Sequence, residues 1–195
     1  MPRKRRSHRR RPRRREIIDL TLVEFLVTND QKIFHSPEVD RILEEANPLL
    51  HARDGEAAEK LFRRALELEP DKPDLLNNLA ASLSLQGCAA EALRLLERLH
   101  RRDPDYLFAR TGLTLAAMRR GDLVRAAELL EPLYARRKFH KSEYDSLCAT
   151  RIRLLLLQGD LLSAQTWFDM WEDCDPANPK LDFYRRLLDR PEEPK

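Results

Sequence analysis

Glycine is scarce in this chain, five in 195 residues, and cysteine scarcer, three. The five glycines stand apart from one another, so no glycine-rich loop is available to cradle a phosphate. Cys88, Cys148 and Cys174 are an odd number at wide spacing with no Cys-x-x-Cys pair. That pattern argues against both a disulfide framework and a zinc site, and it suits a reducing, cytoplasmic setting. No apolar run reaches the length that crosses a bilayer, so no membrane span is expected. The basic N-terminus resembles the start of a secretory signal, but EIIDLTLVEFLVTND behind it is broken by Asp19 and Glu24 and lacks a small-residue cleavage site. Export is therefore not expected. β-Branched residues thin out beyond about residue 40, so a sheet is not expected either.

What the chain does have is charge and aliphatic bulk, 35% and 42% of its residues. Abundant Leu, Ala, Glu and Arg point to helices with solvated outer faces. The net charge of +3 hides an asymmetry. Residues 1–15 carry +10 from Arg3, Lys4, Arg5, Arg6, Arg9, Arg10, Arg11, Arg13, Arg14 and Arg15. The remainder holds 26 basic residues against 33 acidic ones, a net of −7. Pro2, Pro12 and mutual repulsion predict an extended, disordered arm. No aromatics alternate with its charges, so it offers no platform for stacked bases. Three readings compete for it: non-specific RNA or DNA contact through phosphates, contact with an acidic partner or with the chain's own acidic body, and a solvated tail. Arginine outnumbers lysine 28 to 8 across the whole chain, which fits the last of these.

The strongest signal is internal repetition. On the register of EAAEKLFRRALELEP (56–70), Ala58 recurs as Ala92, Ala126 and Ala164, at steps of 34, 34 and 38. Phe62, Leu96, Leu130 and Phe168 keep the same steps, as do Gly87, Gly121 and Gly159. Pro70 and Pro104 are 34 apart, and Pro176 falls where the long step predicts. Between the columns, Leu75, Leu76, Leu79, Leu83 and Leu85 draw a helical stripe. Gly87 then breaks the chain, and a second helix is predicted over 89–102 with Ala92, Leu95, Leu96 and Leu99 on one face. Asp103-Pro104 stops it. The unit is helix, tight turn, helix, stop.

Some features depart from the period. Ser36-Pro37-Glu38 is an N-cap followed by a first-turn proline, yet Pro48 is expected to interrupt the helix it opens. Pro132 should kink or end the second helix of the third unit. Four extra residues within RRKFHKSEYDSL should make the stacking of units three and four irregular. Asn178-Pro179 opens a last helix, LDFYRRLLD, expected to cap the open end. Residues 16–36 are a lead-in of uncertain structure: Thr21-x-x-Glu24 favours a short helix, while IIDLTLVEFLV is β-rich.

These columns resemble the tetratricopeptide repeat (TPR) family over residues 37–176. Ala58, Phe62, Ala65 and Pro70 match the second-helix half of its pattern; Leu76, Leu79, Ala80 and Leu83 fill the first-helix half less closely. In the third unit that half reads Arg110, Leu113, Thr114 and Ala117. The resemblance implies an all-α fold, a short right-handed solenoid of three to four helical hairpins. The basic arm (1–15) and lead-in (16–36) would precede the repeats (37–176), and a capping helix (177–190) and disordered tail (191–195) would follow. It implies a non-enzymatic scaffold or adaptor that binds a peptide or protein segment in a concave groove. The groove positions would be Asn77, Ala81 and Ser84, then Thr111, Leu115 and Met118, with Arg110 and Arg119 nearby. Some members hold a C-terminal carboxylate in a clamp of basic residues and Asn. Asn78 sits where such a clamp has its middle Asn, but Phe108 and Gly112 stand where its basic pair should be, so the clamp is a poor fit. The alternative function is nucleic-acid association, with the arm on phosphates and the repeats recruiting a partner.

Little else in the sequence carries chemistry, and no cofactor, metal or catalytic residue is expected. His8, His35, His51, His100 and His140 show no metal-binding spacing and read as surface or boundary residues. Ser82, Ser84 and Cys88 lack a recognisable His/Asp constellation. In WFDMWEDCDP (167–176), Trp167 and Trp171 lie one helical turn apart. They are expected to pack on the C-terminal helix while Asp169, Asp173 and Asp175 face water.

Overall fold

The computed structural model describes residues 26–28 and 33–189. The arginine-rich arm, the Thr21–Glu24 capping signal and the tail at 191–195 lie outside the described residues. Four helical hairpins follow one another in sequence order. They are α1 (Pro37–His51) with α2 (Gly55–Leu68), α3 (Pro73–Leu85) with α4 (Ala89–Arg102), α5 (Leu107–Arg119) with α6 (Leu123–Leu130), and α7 (Lys141–Leu157) with α8 (Leu161–Cys174). A shorter helix, α9 (Leu181–Leu188), closes the end by burying Leu181 and Tyr184.

The 34-residue columns are the residues that let helix pairs approach. Ala58, Ala92, Ala126 and Ala164 are all at most 2% exposed, and Phe62, Leu96, Leu130 and Phe168 are buried beside them. The turn inside each hairpin is also repeated. The backbone N–H groups of Asp54, Cys88, Asp122 and Asp160 reach back to the carbonyls of Leu49, Leu83, Ala117 and Leu155 at 2.9–3.0 Å. This closure requires the preceding residue to be left-handed. Gly87, Gly121 and Gly159 supply it with φ of 81°, 76° and 73°, but the first unit uses Arg53 at φ 64°. Three of the four following helices are capped by the next side chain: Asp54, Asp122 and Asp160 accept from Ala57, Arg125 and Ser163 N–H at 3.1, 3.0 and 3.2 Å. Cys88 supplies no such cap.

Two large apolar clusters form most of the core, and a smaller third one, Leu76, Leu99 and Ala109, ties α3, α4 and α5 together. One of the two large clusters joins α1–α4 through Val39, Ile42, Phe62, Leu75, Leu79 and Leu83, and reaches into the third hairpin at Leu113 and Leu129. The other joins α5–α9 through Leu107, Leu130, Leu147, Ile152, Trp167 and Trp171.

The prolines behave unequally. α1 runs through Pro48 to His51 rather than breaking there. Pro48 stands in the last turn with its ring exposed, so one N–H is lost while its own carbonyl still accepts from Ala52 at 2.8 Å. Pro132 does end its helix: α6 stops at Leu130, and a 3-10 helix over Glu131–Ala135 follows. The ten residues 131–140 thus absorb the longer step between repeats. They also hold a feature the composition did not favour. Leu26–Thr28 (β1) pairs in parallel with Lys138–His140 (β2), Val27 opposite Phe139. Phe139 is fully buried from this strand, beneath the Arg136 guanidinium and beside Tyr144.

The tryptophans divide between two partners. Trp171 packs edge-on against Tyr184 of α9, ring centres 5.3 Å apart, while Trp167 packs on Tyr134 of the 3-10 helix. Asp169 and Asp173 are exposed, but Asp175 is partly covered and paired with Lys141.

Candidate functional site

The first helix of each hairpin presents one stripe away from its own partner helix. On α3 and α5, Asn77, Ala81, Ser84, Thr111 and Leu115 come together with Arg53 and Arg119 around a hollow of about 400 Å³. Ser146 of α7 joins this wall, its hydroxyl 3.1 Å from that of Thr111. Leu115 and Arg119 are shared with a second hollow of about 420 Å³. Met118 lies here, facing Leu156, Leu157 and Leu187. Through these two shared residues the hollows adjoin, and together their linings reach from Arg53 of the first hairpin to Leu187 of α9.

Two of the sequence candidates lie elsewhere. Arg110 donates to the backbone carbonyls of Pro104 and Leu129, locking α5 to the end of α4 and to α6. Asn78 lies outside both hollows; its carbonyl accepts from the buried Ser82 hydroxyl at 2.9 Å, and its side-chain oxygen accepts from Asn77 at 3.5 Å. Each sits one residue, about 100° of helical rotation, from a groove position.

Sequence reasoning missed a hollow of about 760 Å³ at the N-terminal ends of α3, α5 and α7. Its walls include Asp74, Asp103 and Glu143 together with Tyr106 and Phe108. Ile33 and Phe34 of the lead-in close one side, and this segment belongs to no repeat column. It is fastened by His35, whose Nδ1 lies 2.7 Å from Glu69 and whose Nε2 lies 2.9 Å from Asp74. The Ser36 backbone N–H also donates to Glu69, at 2.6 Å. Desolvation pulls the His35 pKa down, but the Glu69 hydrogen bond and the Asp74 charge outweigh it, and the net shift is upward. Glu69 is held down to about 2, first by the Ser36 N–H and then by His35.

With both ring nitrogens facing carboxylates, the imidazolium is the stabilising form. Its contribution is complete below the ordinary histidine range and disappears as pH rises through the raised folded-state value. The Glu69 contribution is instead complete above the ordinary carboxylate range and is lost as pH falls from there toward about 2. The melting-temperature advantage of the parent over His35→Gln should therefore be largest near pH 6 and shrink toward pH 8.5. Thermal melts of both chains across that range check it, and an advantage that grew with pH would refute the pairing.

Burial pushes the Cys148 thiol well up, and its neighbour Tyr144 is raised by the same cause. Among the described residues no group of three or more His, Cys, Asp or Glu is placed to hold a metal ion, and no helix is long and apolar enough to cross a membrane.

The tetratricopeptide repeat model matches residues 49–106 and 83–151. The chain is similar to the Sgt2 TPR domain from Aspergillus fumigatus, at 20% identity over 85% of this chain and 93% of that one, TM-score 0.44. It is similar also to a thermophilic TPR protein of Thermus thermophilus, at 19% identity over 77% and 98%, TM-score 0.47. A tetratricopeptide repeat protein from Parabacteroides merdae shares 16% identity over 78% of this chain and 59% of that one, TM-score 0.44. No curated protein matches the chain.

Proposed function

The chain belongs to the tetratricopeptide repeat family, and from that premise we propose that it is a non-enzymatic adaptor holding a peptide or protein segment on its concave face. The observation that carries this reading is the convergence of Asn77, Ala81, Ser84, Thr111 and Leu115 on one hollow that runs on into the Met118 hollow. Stacked hairpins leave such a surface because each repeat buries its other faces against its neighbours. Leu115 and Met118 are only partly buried, with Met118 packed on the edge of the α5–α9 cluster. Leu115→Glu with Met118→Glu should leave the helical circular dichroism intact. The same double variant should remove the proteins retained by the parent on affinity capture. A partner list unchanged by the double substitution would sink the reading.

The arginine-rich arm is assigned a separate, sequence-blind role on nucleic-acid phosphates. Its support is compositional: ten positive charges within residues 1–15, on a chain otherwise net −7. Up to about ten phosphate contacts give a steep salt dependence. Deleting residues 1–15 should abolish salt-sensitive retention on RNA or heparin, and retention that survives the deletion would show that the arm is not the contact.

A further inference from the structure

Charge is segregated on this molecule in a way the repeat pattern does not require. Beyond residue 15 acids outnumber bases, 33 to 26. Yet among the described residues no carboxylate lines the Asn77–Leu115 hollow, the Met118 hollow, or the smaller one of about 190 Å³ beside them. Arg119 lies at the junction of all three, Arg53 at one end, Arg120 in the smallest, and Arg153 in the Met118 hollow with its guanidinium over the Phe183 and Tyr184 rings. Arg53, Arg119 and Arg120 have no carboxylate partner among the described residues, a state they share with Arg41, Arg94, Arg98 and Arg101 on other surfaces, while Arg63, Arg64, Arg102, Arg125, Arg136 and Arg185 are ion-paired. Asp74, Asp103 and Glu143 line a separate hollow.

Arg53 adds an independent observation. It holds the left-handed turn position that glycine fills in the other three hairpins. A side chain costs free energy at that backbone geometry, and this one lines the groove. A strained residue at a surface otherwise free of strain points to a use for the side chain.

Between the guanidinium groups the surface is aliphatic: Leu115, Met118, Leu156, Leu157 and Leu187, with Leu157 57% exposed. We infer that the concave face takes a peptide segment in which acidic side chains alternate with large aliphatic ones, the carboxylates meeting Arg53 and Arg119 and an aliphatic side chain entering the Met118–Leu187 hollow. The inference rests on the groove reading above and adds the chemistry of its occupant. A single-stranded nucleic acid would also meet the arginines, but it binds by stacking bases on aromatic faces. Among the described residues, Phe108 is the one aromatic lining these three hollows.

The test is selection of a displayed random-peptide library on the full chain, on Arg119→Glu, and on Leu115→Glu/Met118→Glu. The basic arm is present in all three, so peptides that bind it survive in every arm and are subtracted. Acidic–aliphatic sequences enriched on the parent and lost from both variants are the expected result. Basic or uncharged sequences, or enrichment indifferent to Arg119→Glu, overturn the charge inference. If such sequences are still lost from the Leu115/Met118 variant, the groove reading survives that failure; if nothing is lost from that variant, the groove reading fails as well. For a selected peptide carrying a fluorescent label, anisotropy should show affinity falling about ten-fold in Arg119→Glu, the scale of one reversed charge contact. Arg53→Gly should weaken the same peptide while raising the melting temperature, since it removes the strained residue and the contact together. A rise in melting temperature with unchanged affinity would remove Arg53 from the site. Displacement of the peptide by an oligonucleotide that itself depends on Arg119 would make nucleic acid the occupant, and peptide binding seen only after removal of residues 190–195 would make it the chain's own tail.

Discussion

Replacing Trp171 by alanine should lower the stability of the chain by about 3–5 kcal/mol, the range for a fully buried large aromatic side chain. Trp171 is 0% exposed and stands where α8 meets both α7 and α9. Its ring lies edge-on to Tyr184, and its indole N–H donates to Asp145 on α7 at 2.8 Å. Truncation therefore opens a cavity, removes the surface on which α9 docks, and takes the indole donor from a carboxylate whose side chain is 13% exposed. Asp145 keeps Lys141 at 3.5 Å, so its charge is not left alone. Trp171→Phe separates the effects: most of the volume stays and only the donor is lost, which should cost about 1–3 kcal/mol. Denaturant unfolding followed by circular dichroism reads both values. A Trp171→Ala cost below that of Trp171→Phe would show that the packing account is wrong. Amide exchange should quicken first over 181–188, because Tyr184, buried on α9, loses the ring it packs against.

The parts of this fold legible in the sequence are those a period of 34 can encode. Ala92 must be small where helices cross, Phe62 must fill the space beside such an alanine, and Gly87 must turn left-handed. Each is a local demand that recurs, so the register could be read from several columns at once. The groove positions followed from the same register, since position within a repeat fixes position around a helix. Arg110 is a candidate by proximity in sequence and Asn78 by its place in the clamp pattern, and a step of about 100° per residue is enough to set each apart from the stripe of Asn77 and Thr111.

What stayed hidden belongs to single events. β1 and β2 are three residues each and lie 112 positions apart, Leu26 opposite Lys138. A strand that short has no periodicity to detect, and its pairing depends on where the 131–140 segment is delivered. His35 reads as a boundary residue because its partners, Glu69 at the end of α2 and Asp74 in the first turn of α3, lie 34 and 39 residues away. The large hollow at the N-terminal ends of α3, α5 and α7 depends on that same fastening. Pro48 misled in the opposite direction: the sequence shows a helix breaker, but only the helix end shows that the missing N–H falls in the last turn, where it costs one bond rather than the helix.

Phe62→Ala should cost about 3–5 kcal/mol as well, but at the other end of the molecule, and the pair of substitutions tests how the solenoid holds together. Phe62 is 0% exposed on α2, among Val39, Ile42, Leu75 and Leu79. None of these contacts reaches α7, α8 or α9, whose residues form the other cluster. In a repeat array stability is a sum of units and nearest-neighbour interfaces, so the damage should stay local. Exchange should accelerate across α1–α3 and remain slow across α7–α8, the reverse of the Trp171→Ala pattern. The third hairpin is the joint, because Leu113 and Leu129 belong to the first cluster while Leu107 and Leu130 belong to the second. Its amides should respond partially to both substitutions. Uniform acceleration along the whole chain in either variant would mean that the two clusters melt as one cooperative unit. The joint would then transmit the full loss, and the adjoining hollows that cross it would form or vanish together.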